Sequence, residues 1–329
     1  MNLLFTSAGR RVELLRAFKD AYRELGMTGT VVAVDIDPLA PALQLADRYY
    51  LIPRITDPGY IPALLEICRR DEIDLLVPLV DRDLPYLVEH RSEIEATGTR
   101  ALVPTEDAAA IVSDKWLTYE FLTRLGLPTP RSWRADEASS ADLDYPVFIK
   151  PRFGSAGEGT FKVRTPRELD FFLDYVDRPI VQEYLPGPEI TSDVLCDLSG
   201  NVRAVVSRKR IEVRTGEVSK GVTVREPEIL EGCAAVAKGL DATGPITVQC
   251  MMRDEHVYFT EVNYRFGGGV PLAIAAGAPY PKWLLELAAH PSVELPQIGS
   301  YKTGIYLTRY DESLIVSKEE RDAVQRHHL

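Results

Sequence analysis

Around residue 261 the chain reads Thr260-Glu261-Val262-Asn263-Tyr264-Arg265-Phe266-Gly267-Gly268-Gly269. Alternate side chains of an extended strand share a face, so Glu261, Asn263 and Arg265 point the same way. Gln249 lies on the preceding strand, across a hairpin expected to turn at Arg253-Asp254-Glu255. One carboxylate and two amide oxygens can converge on a hard cation. Mg²⁺ prefers such oxygen ligands and takes few from protein when phosphates complete its shell. Arg265, on the same face, could clamp a transferred phosphate. Read alone, the same residues also fit an exposed polar strand face.

A second group lies upstream. Pro146-Val147-Phe148-Ile149-Lys150-Pro151 reads as a strand ending in lysine, followed by Arg152-Phe153-Gly154-Ser155-Ala156-Gly157-Glu158-Gly159-Thr160. Closely spaced glycines let the backbone approach an anion and aim successive N–H groups at it. Lys150 adds a compact point charge suited to phosphate. The G-x-x-x-x-G-K-[ST] pattern is missing, so this is not a P-loop. Alone, the segment reads equally as a glycine hairpin with a surface lysine. Val181-Gln182-Glu183-Tyr184-Leu185-Pro186-Gly187-Pro188-Glu189 is a strand leading into a Pro-Gly turn that ends on a carboxylate. Arg203, Arg208, Lys209, Arg210, Arg214, Lys220 and Arg225 are opposed only by Glu212 and Glu217. That stretch suits an anionic ligand or a solvated hairpin. It lacks the interleaved aromatics of a nucleic-acid surface.

These residues need elements to hold them. Up to about residue 105 strands and helices alternate, with strands expected at Asn2–Thr6, Thr30–Val34, Leu75–Val80 and Ala101–Pro104, and helices at Val12–Leu25 and Ile61–Arg70. Such alternation implies a parallel sheet covered on both faces, with ligands beyond the carboxyl ends of its strands. Those ends carry Ser7, Arg10, Asp35, Asp81 and Asp83. The first turn, Thr6-Ser7-Ala8-Gly9-Arg10-Arg11, lacks G-x-G-x-x-G, so a dinucleotide site is disfavoured. Ser113 is the expected N-cap of a helix over Lys115–Leu125, with Gly126 as its stop. Beyond the extended Leu127-Pro128-Thr129-Pro130, strands dominate, and an antiparallel α+β region is expected.

The 329 residues exceed one ordinary core, and the formal charge is 38 − 49 = −11. That charge argues against nucleic acid or an anionic membrane as a partner. No apolar run approaches the roughly 20 residues of a membrane helix. Cys68, Cys196, Cys233 and Cys250 form no C-x-x-C pair and are expected to be buried thiols. A cytoplasmic protein is expected.

Taken together, a lysine–glycine loop, a turn ending in glutamate, and Gln249 followed by Glu-x-Asn resemble the ATP-grasp superfamily, in that family's order. In texture the chain is similar to proteins related to the large subunit of carbamoyl phosphate synthase. The resemblance implies a Rossmann-like preATP-grasp domain over 1–105, a linker helix and lid with the glycine loop over 106–180, and an ATP-grasp core with a C-terminal segment over 181–329. It implies ATP and Mg²⁺, with Mn²⁺ as an alternative metal. Lys115 and Lys150 correspond to phosphate lysines, and Gly154, Ser155, Ala156 and Gly157 to the phosphate flap. Gln182, Glu183, Tyr184 and Leu185 correspond to the adenine segment, Glu189 to the ribose carboxylate, and Gln249, Glu261 and Asn263 to the metal set. Arg265 corresponds to the residue that stabilises the transferred phosphoryl group. Tyr264 stands where the family usually has proline.

The implied reaction is phosphorylation of a carboxylate and its coupling to an amine. A bicarbonate-using, carbamoyl-phosphate-like enzyme and a non-catalytic nucleotide sensor are the alternatives. Small-molecule substrates and a homodimer are the expected partners. Arg210 and Lys220 from the basic hairpin, and Ser7, Arg10, Asp81 and Asp83 from the strand ends, are candidates for handling the substrate.

Overall fold

The computed structural model describes residues 1–139, 141–154 and 157–326. Its first sheet contains β1 (Leu3–Thr6), β2 (Val31–Asp35), β3 (Arg48–Leu51), β4 (Leu75–Pro78) and β5 (Arg100–Ala101) in the order β3-β2-β1-β4-β5, all parallel. The runs Leu-Leu-Phe-Thr and Leu-Leu-Val-Pro are buried throughout, as strands covered on both faces must be. Helix Val12–Leu25 buries Leu14, Leu15, Phe18, Ala21 and Tyr22 and stops at Gly26 in the left-handed conformation, whose N–H reaches back into the last turn. β3 was not legible in the sequence, because Arg-Tyr-Tyr-Leu is an edge strand that buries only Leu51 and shows no apolar alternation.

The second sheet is small and antiparallel. It orders β6 (Ser132–Arg134), β7 (Val147–Pro151), β8 (Phe161–Val163) and β9 (Pro179–Glu183) as β6-β9-β7-β8. A core of Leu143, Val147, Ile149, Val163, Leu169 and a few neighbours lies beneath it. The third sheet holds β10 (Glu189–Cys196), β11 (Val202–Arg214), β12 (Glu217–Val224), β13 (Gly244–Arg253), β14 (His256–Asn263) and β15 (Tyr306–Thr308) in the order β14-β13-β10-β11-β12-β15. β11 carries the basic stretch through to Arg214. β15 adds an edge strand to β12. The segment after it is then tied down by ion pairs Glu312–Arg16 and Asp311–Arg214.

Ser113 does not cap the helix that follows it. It is the last residue of helix Glu106–Ser113, and Asp114 caps helix Lys115–Arg124 by accepting from Trp116 N and Leu117 N. The carboxylate wins because it also receives Arg152, whose Nε lies 2.7 Å from Asp114 Oδ1. The cap thereby fixes the helix start to the strand–loop junction after Lys150. No helix among the described residues is long and apolar enough to cross a membrane.

Candidate active site

The second and third sheets face each other across a cavity of about 640 Å³. Each wall is set by strand alternation. In β13 and β14, Gln249 stands directly opposite Glu261 in register, and Asn263 follows two residues on. All three line the cavity, as does Arg265. Asn263 Nδ2 donates to Glu261 Oε1 at 3.2 Å, while Arg265 Nη2 donates to Asn263 Oδ1 at 3.3 Å. Arg265 Nε is 2.8 Å from Asp81 Oδ2, which ties the strand end to the first sheet. The oxygens of Gln249, Glu261 and Asn263 suit Mg²⁺. With only one carboxylate among them, they would need phosphate and water to complete its shell.

Opposite them Lys150, at the end of β7, is buried. Its Nζ donates to Gln182 Oε1 on β9 at 2.9 Å, and Gln182 Nε2 donates to Ser132 Oγ on β6, also at 2.9 Å. Burial lowers the Lys150 ammonium from 10.5 to about 8, with Glu261 opposing and Lys115 assisting. A buried, incompletely neutralised cation facing a cavity attracts an anion. Lys115, at the first position of its helix, donates from Nζ to Gly154 O at 2.7 Å, holding the start of the glycine loop. Gly154 and Gly157 line the cavity, at φ of 118° and 73°. Ser155 and Ala156 lie outside the described residues.

Tyr184 and Leu185 line the same cavity, together with Phe148 and Met251. Gln182 lines it too, but its side chain is engaged by Lys150 and Ser132. Glu183 pairs with Arg253, and its own N–H is bonded to Arg131 O at 2.8 Å. Glu189 lines the cavity and pairs with Arg210. The turn between β9 and β10 depends on Gly187. At φ of 150° any Cβ would stand 1.8 Å from Met252 O.

Not every candidate reaches the cavity. Lys220 points away, its Nζ 2.7 Å from Glu212 Oε2 on the exposed face of the hairpin. From β12 it is Glu217 that lines the cavity, while Ser219 Oγ donates to Glu212 Oε1 at 2.9 Å. Ser7 and Asp83 do not face it either. Thr6 Oγ1 and Ser7 Oγ donate to the two oxygens of buried Asp83, at 2.7 and 3.1 Å. Burial lifts Asp83 to about 6, against those two hydrogen bonds and with help from Asp35 and Asp81. Asp81 reaches the site only through Arg265. Asp35 is spent on the first turn, where Gly9 N donates to its Oδ2 at 2.7 Å. Arg10 does line the cavity.

Sequence reasoning missed Phe148 and Met251. Met251 sits two residues beyond Gln249 on one strand face, so period two could have found it.

A parallel five-stranded domain followed by a lysine-bearing lid sheet and an antiparallel sheet carrying Gln…Glu-x-Asn defines a nucleotide-dependent class of protein. Residues 3–102 match the family described as PylC-like, N-terminal domain, and residues 112–269 match the ATP-grasp domain family. The chain thus carries an ATP-grasp domain behind a PylC-like N-terminal domain. It is 25% identical over 321 residues to the carbamoyl phosphate synthase large chain of Pyrococcus furiosus, covering 89% of this chain and 30% of that one. It is 30% identical over 270 residues to the formate-dependent phosphoribosylglycinamide formyltransferase of Thioalkalivibrio sulfidiphilus, covering 74% of this chain and 65% of that one. In fold it is similar to biotin carboxylase from Campylobacter jejuni, solved as a β,γ-ATP complex, with a TM-score of 0.72, 20% identity, and coverage of 93% of this chain and 74% of that chain.

Proposed function

We propose that this chain is an ATP- and Mg²⁺-dependent carboxylate–amine ligase. The observation that carries the reading is the convergence, on one cavity of about 640 Å³, of Lys115, Lys150 and Arg265 with the oxygen set Gln249, Glu261 and Asn263. The lined positions of Tyr184, Leu185, Phe148 and Met251 support an adenine pocket. Glu189, with Arg210 beside it, supports a ribose contact. As working units we take 1–105, 106–183 and 184–329, the expected boundary at 180 being moved past Glu183 because it would split β9.

When bound, Mg²⁺ would neutralise phosphate charge beside Gln249, Glu261 and Asn263. The protein's own residues position the reactants. Lys150 and Lys115 hold the phosphates, and Arg265 holds the group in transfer. A substrate carboxylate oxygen attacks the γ-phosphorus, the bond to the β–γ bridging oxygen breaks, and ADP leaves. The amine nitrogen then attacks the acyl carbon. Phosphate departs with the C–O bonding pair, and the amine proton passes to solvent. An acyl phosphate is prone to hydrolysis, so the site must exclude water while the intermediate lasts.

Phosphorus NMR of ATP with the protein, Mg²⁺ and pooled amino acids, with and without bicarbonate, tests the proposal. ADP and phosphate formed only with the pool are expected. Dependence on bicarbonate alone would transfer the assignment to a carbamoyl-phosphate-like reaction, and AMP with pyrophosphate would contradict phosphoryl transfer from the γ-position.

A further inference from the structure

A second cavity, of about 720 Å³, adjoins the first and shares Arg10, Thr215 and Glu217 with it. Its floor is a four-charge cluster. Arg11 Nη1 lies 3.1 Å from Glu217 Oε1, Arg309 Nη1 lies 3.2 Å from Glu217 Oε2, and Arg309 Nη2 lies 3.1 Å from Glu13 Oε2. Arg309 also donates to Gly268 O, and its Nε is buried with no hydrogen-bond partner among the described residues. Gly268 makes the convergence feasible, since a Cβ there would stand 2.9 Å from both Arg11 Nη1 and Glu217 Cδ. Burial would raise Glu217, but Arg11, Arg309, Arg10 and Arg265 outweigh it and hold the carboxyl below its usual range. The groups come from the first helix, the tip of the basic hairpin, the glycine run after Arg265, and the C-terminal segment.

Resting on the ligase reading, we propose that this second cavity seats the amine substrate, and that this substrate is an amino acid with an apolar side chain. Two guanidiniums against two carboxylates give a floor that is balanced in charge, unlike the lysine-rich wall facing the phosphates. A balanced floor favours a zwitterion over a polyanion or a polycation, because each end of the ligand meets the opposite sign. Arg11 and Arg309 would hold the substrate carboxylate through their terminal guanidinium nitrogens. Glu217 would attract the ammonium. Glu217 also lines the passage to the first cavity, so the nitrogen would face the acyl carbon. Above the floor, Leu39, Leu307 and Leu314 supply apolar wall. Leu314 is 39% exposed and Leu39 52%, ordinary for residues that a ligand would cover.

The test is saturation-transfer NMR on the full chain with L-leucine, L-leucinamide and 4-methylpentanoate, each analogue lacking one charged group. Leucine should bind, with each analogue at least about tenfold weaker. Glu217→Gln should weaken leucine about tenfold while changing 4-methylpentanoate little. MgADP-induced melting shifts are read in parallel, so failure of nucleotide binding is distinct from failure of the amino-acid site. If Glu217→Gln loses the MgADP shift, Arg309→Lys is used, and leucine binding should fall there with the shift retained. Equal binding of all three probes, or binding of L-lysine or L-glutamate but not leucine, would overturn the proposal. So would the absence of any amino-acid signal on protein that shifts with MgADP.

Discussion

The two cavities are neighbours that share a wall, yet they are built differently. In the first, the groups that matter come in pairs from adjacent strands. Lys150 on β7 reaches diagonally to Gln182 on β9, Nζ to Oε1 at 2.9 Å, and Gln249 stands directly opposite Glu261 between β13 and β14. Pairing register holds them, and the wall around Lys150 and Lys115 is rich in positive charge. In the second, Arg11, Glu13, Glu217, Gly268 and Arg309 come from segments spread over nearly the whole chain, and the two guanidiniums balance the two carboxylates. If the two proposals hold, the ligand common to a superfamily is met by local strand geometry and the ligand particular to this chain by long-range assembly.

The comparison can be broken most sharply at Glu261. Glu261→Ala should cut turnover by about a thousandfold or more, roughly 4 kcal/mol of barrier, while circular dichroism stays unchanged. Unaltered Mg²⁺-dependent ADP release in that variant would remove Glu261 from the metal set. Two glycines then separate backbone from side-chain dependence. Gly187→Ala drives a Cβ into the Met252 carbonyl and should destabilise the fold by about 2–4 kcal/mol in denaturant unfolding. Gly268→Ala meets only the flexible ends of Arg11 and Glu217. It should therefore cost less than about 1 kcal/mol, yet raise KM for the amine substrate with KM for ATP unchanged.

Smaller effects follow from the buried charges. Lys150 has its folded pKa lowered to about 8 from 10.5, so between these values the unfolded chain holds more protons and this group's contribution to stability rises with pH. Function runs the other way. KM for ATP should climb by up to about tenfold per pH unit above 8, and Lys150→Arg should flatten that limb. Asp83 is the converse case. Its folded pKa is raised to about 6 from 3.8, so its contribution is most favourable below 3.8 and is lost as pH rises through 6. Asp83→Asn should therefore stabilise the protein at pH 7.5 by roughly 1–2 kcal/mol, the gain shrinking toward pH 4 in thermal melts.

The same contrast explains what the sequence disclosed. Glu261, Asn263 and Arg265 were legible because two-residue spacing on a strand determines a shared face, and Lys150 because a strand and a glycine loop flank it. The parallel sheet was legible from apolar runs buried on both faces, whereas edge strand β3 was not. Lys220 was misjudged because charge count does not reveal which face of β12 turns inward. The expected roles of Ser7 and Asp83 failed for a different reason. Strand ends can satisfy each other, as Thr6, Ser7 and Asp83 do, rather than wait for a ligand. Arg309 had no local pattern at all, and only the pairing of β15 with β12 brings it beside Glu217.

The most direct measurement of the central claim follows oxygen. The carboxylate substrate, labelled with ¹⁸O in its carboxylate, is incubated with the amine substrate, the protein, Mg²⁺ and ATP, and the phosphate released is examined by phosphorus NMR. Transfer of one ¹⁸O into inorganic phosphate, with ADP formed in equal amount, is the predicted result, because the attacking carboxylate oxygen must leave with phosphorus. Unlabelled phosphate from productive turnover, or label appearing in AMP, would contradict an acyl-phosphate ligase.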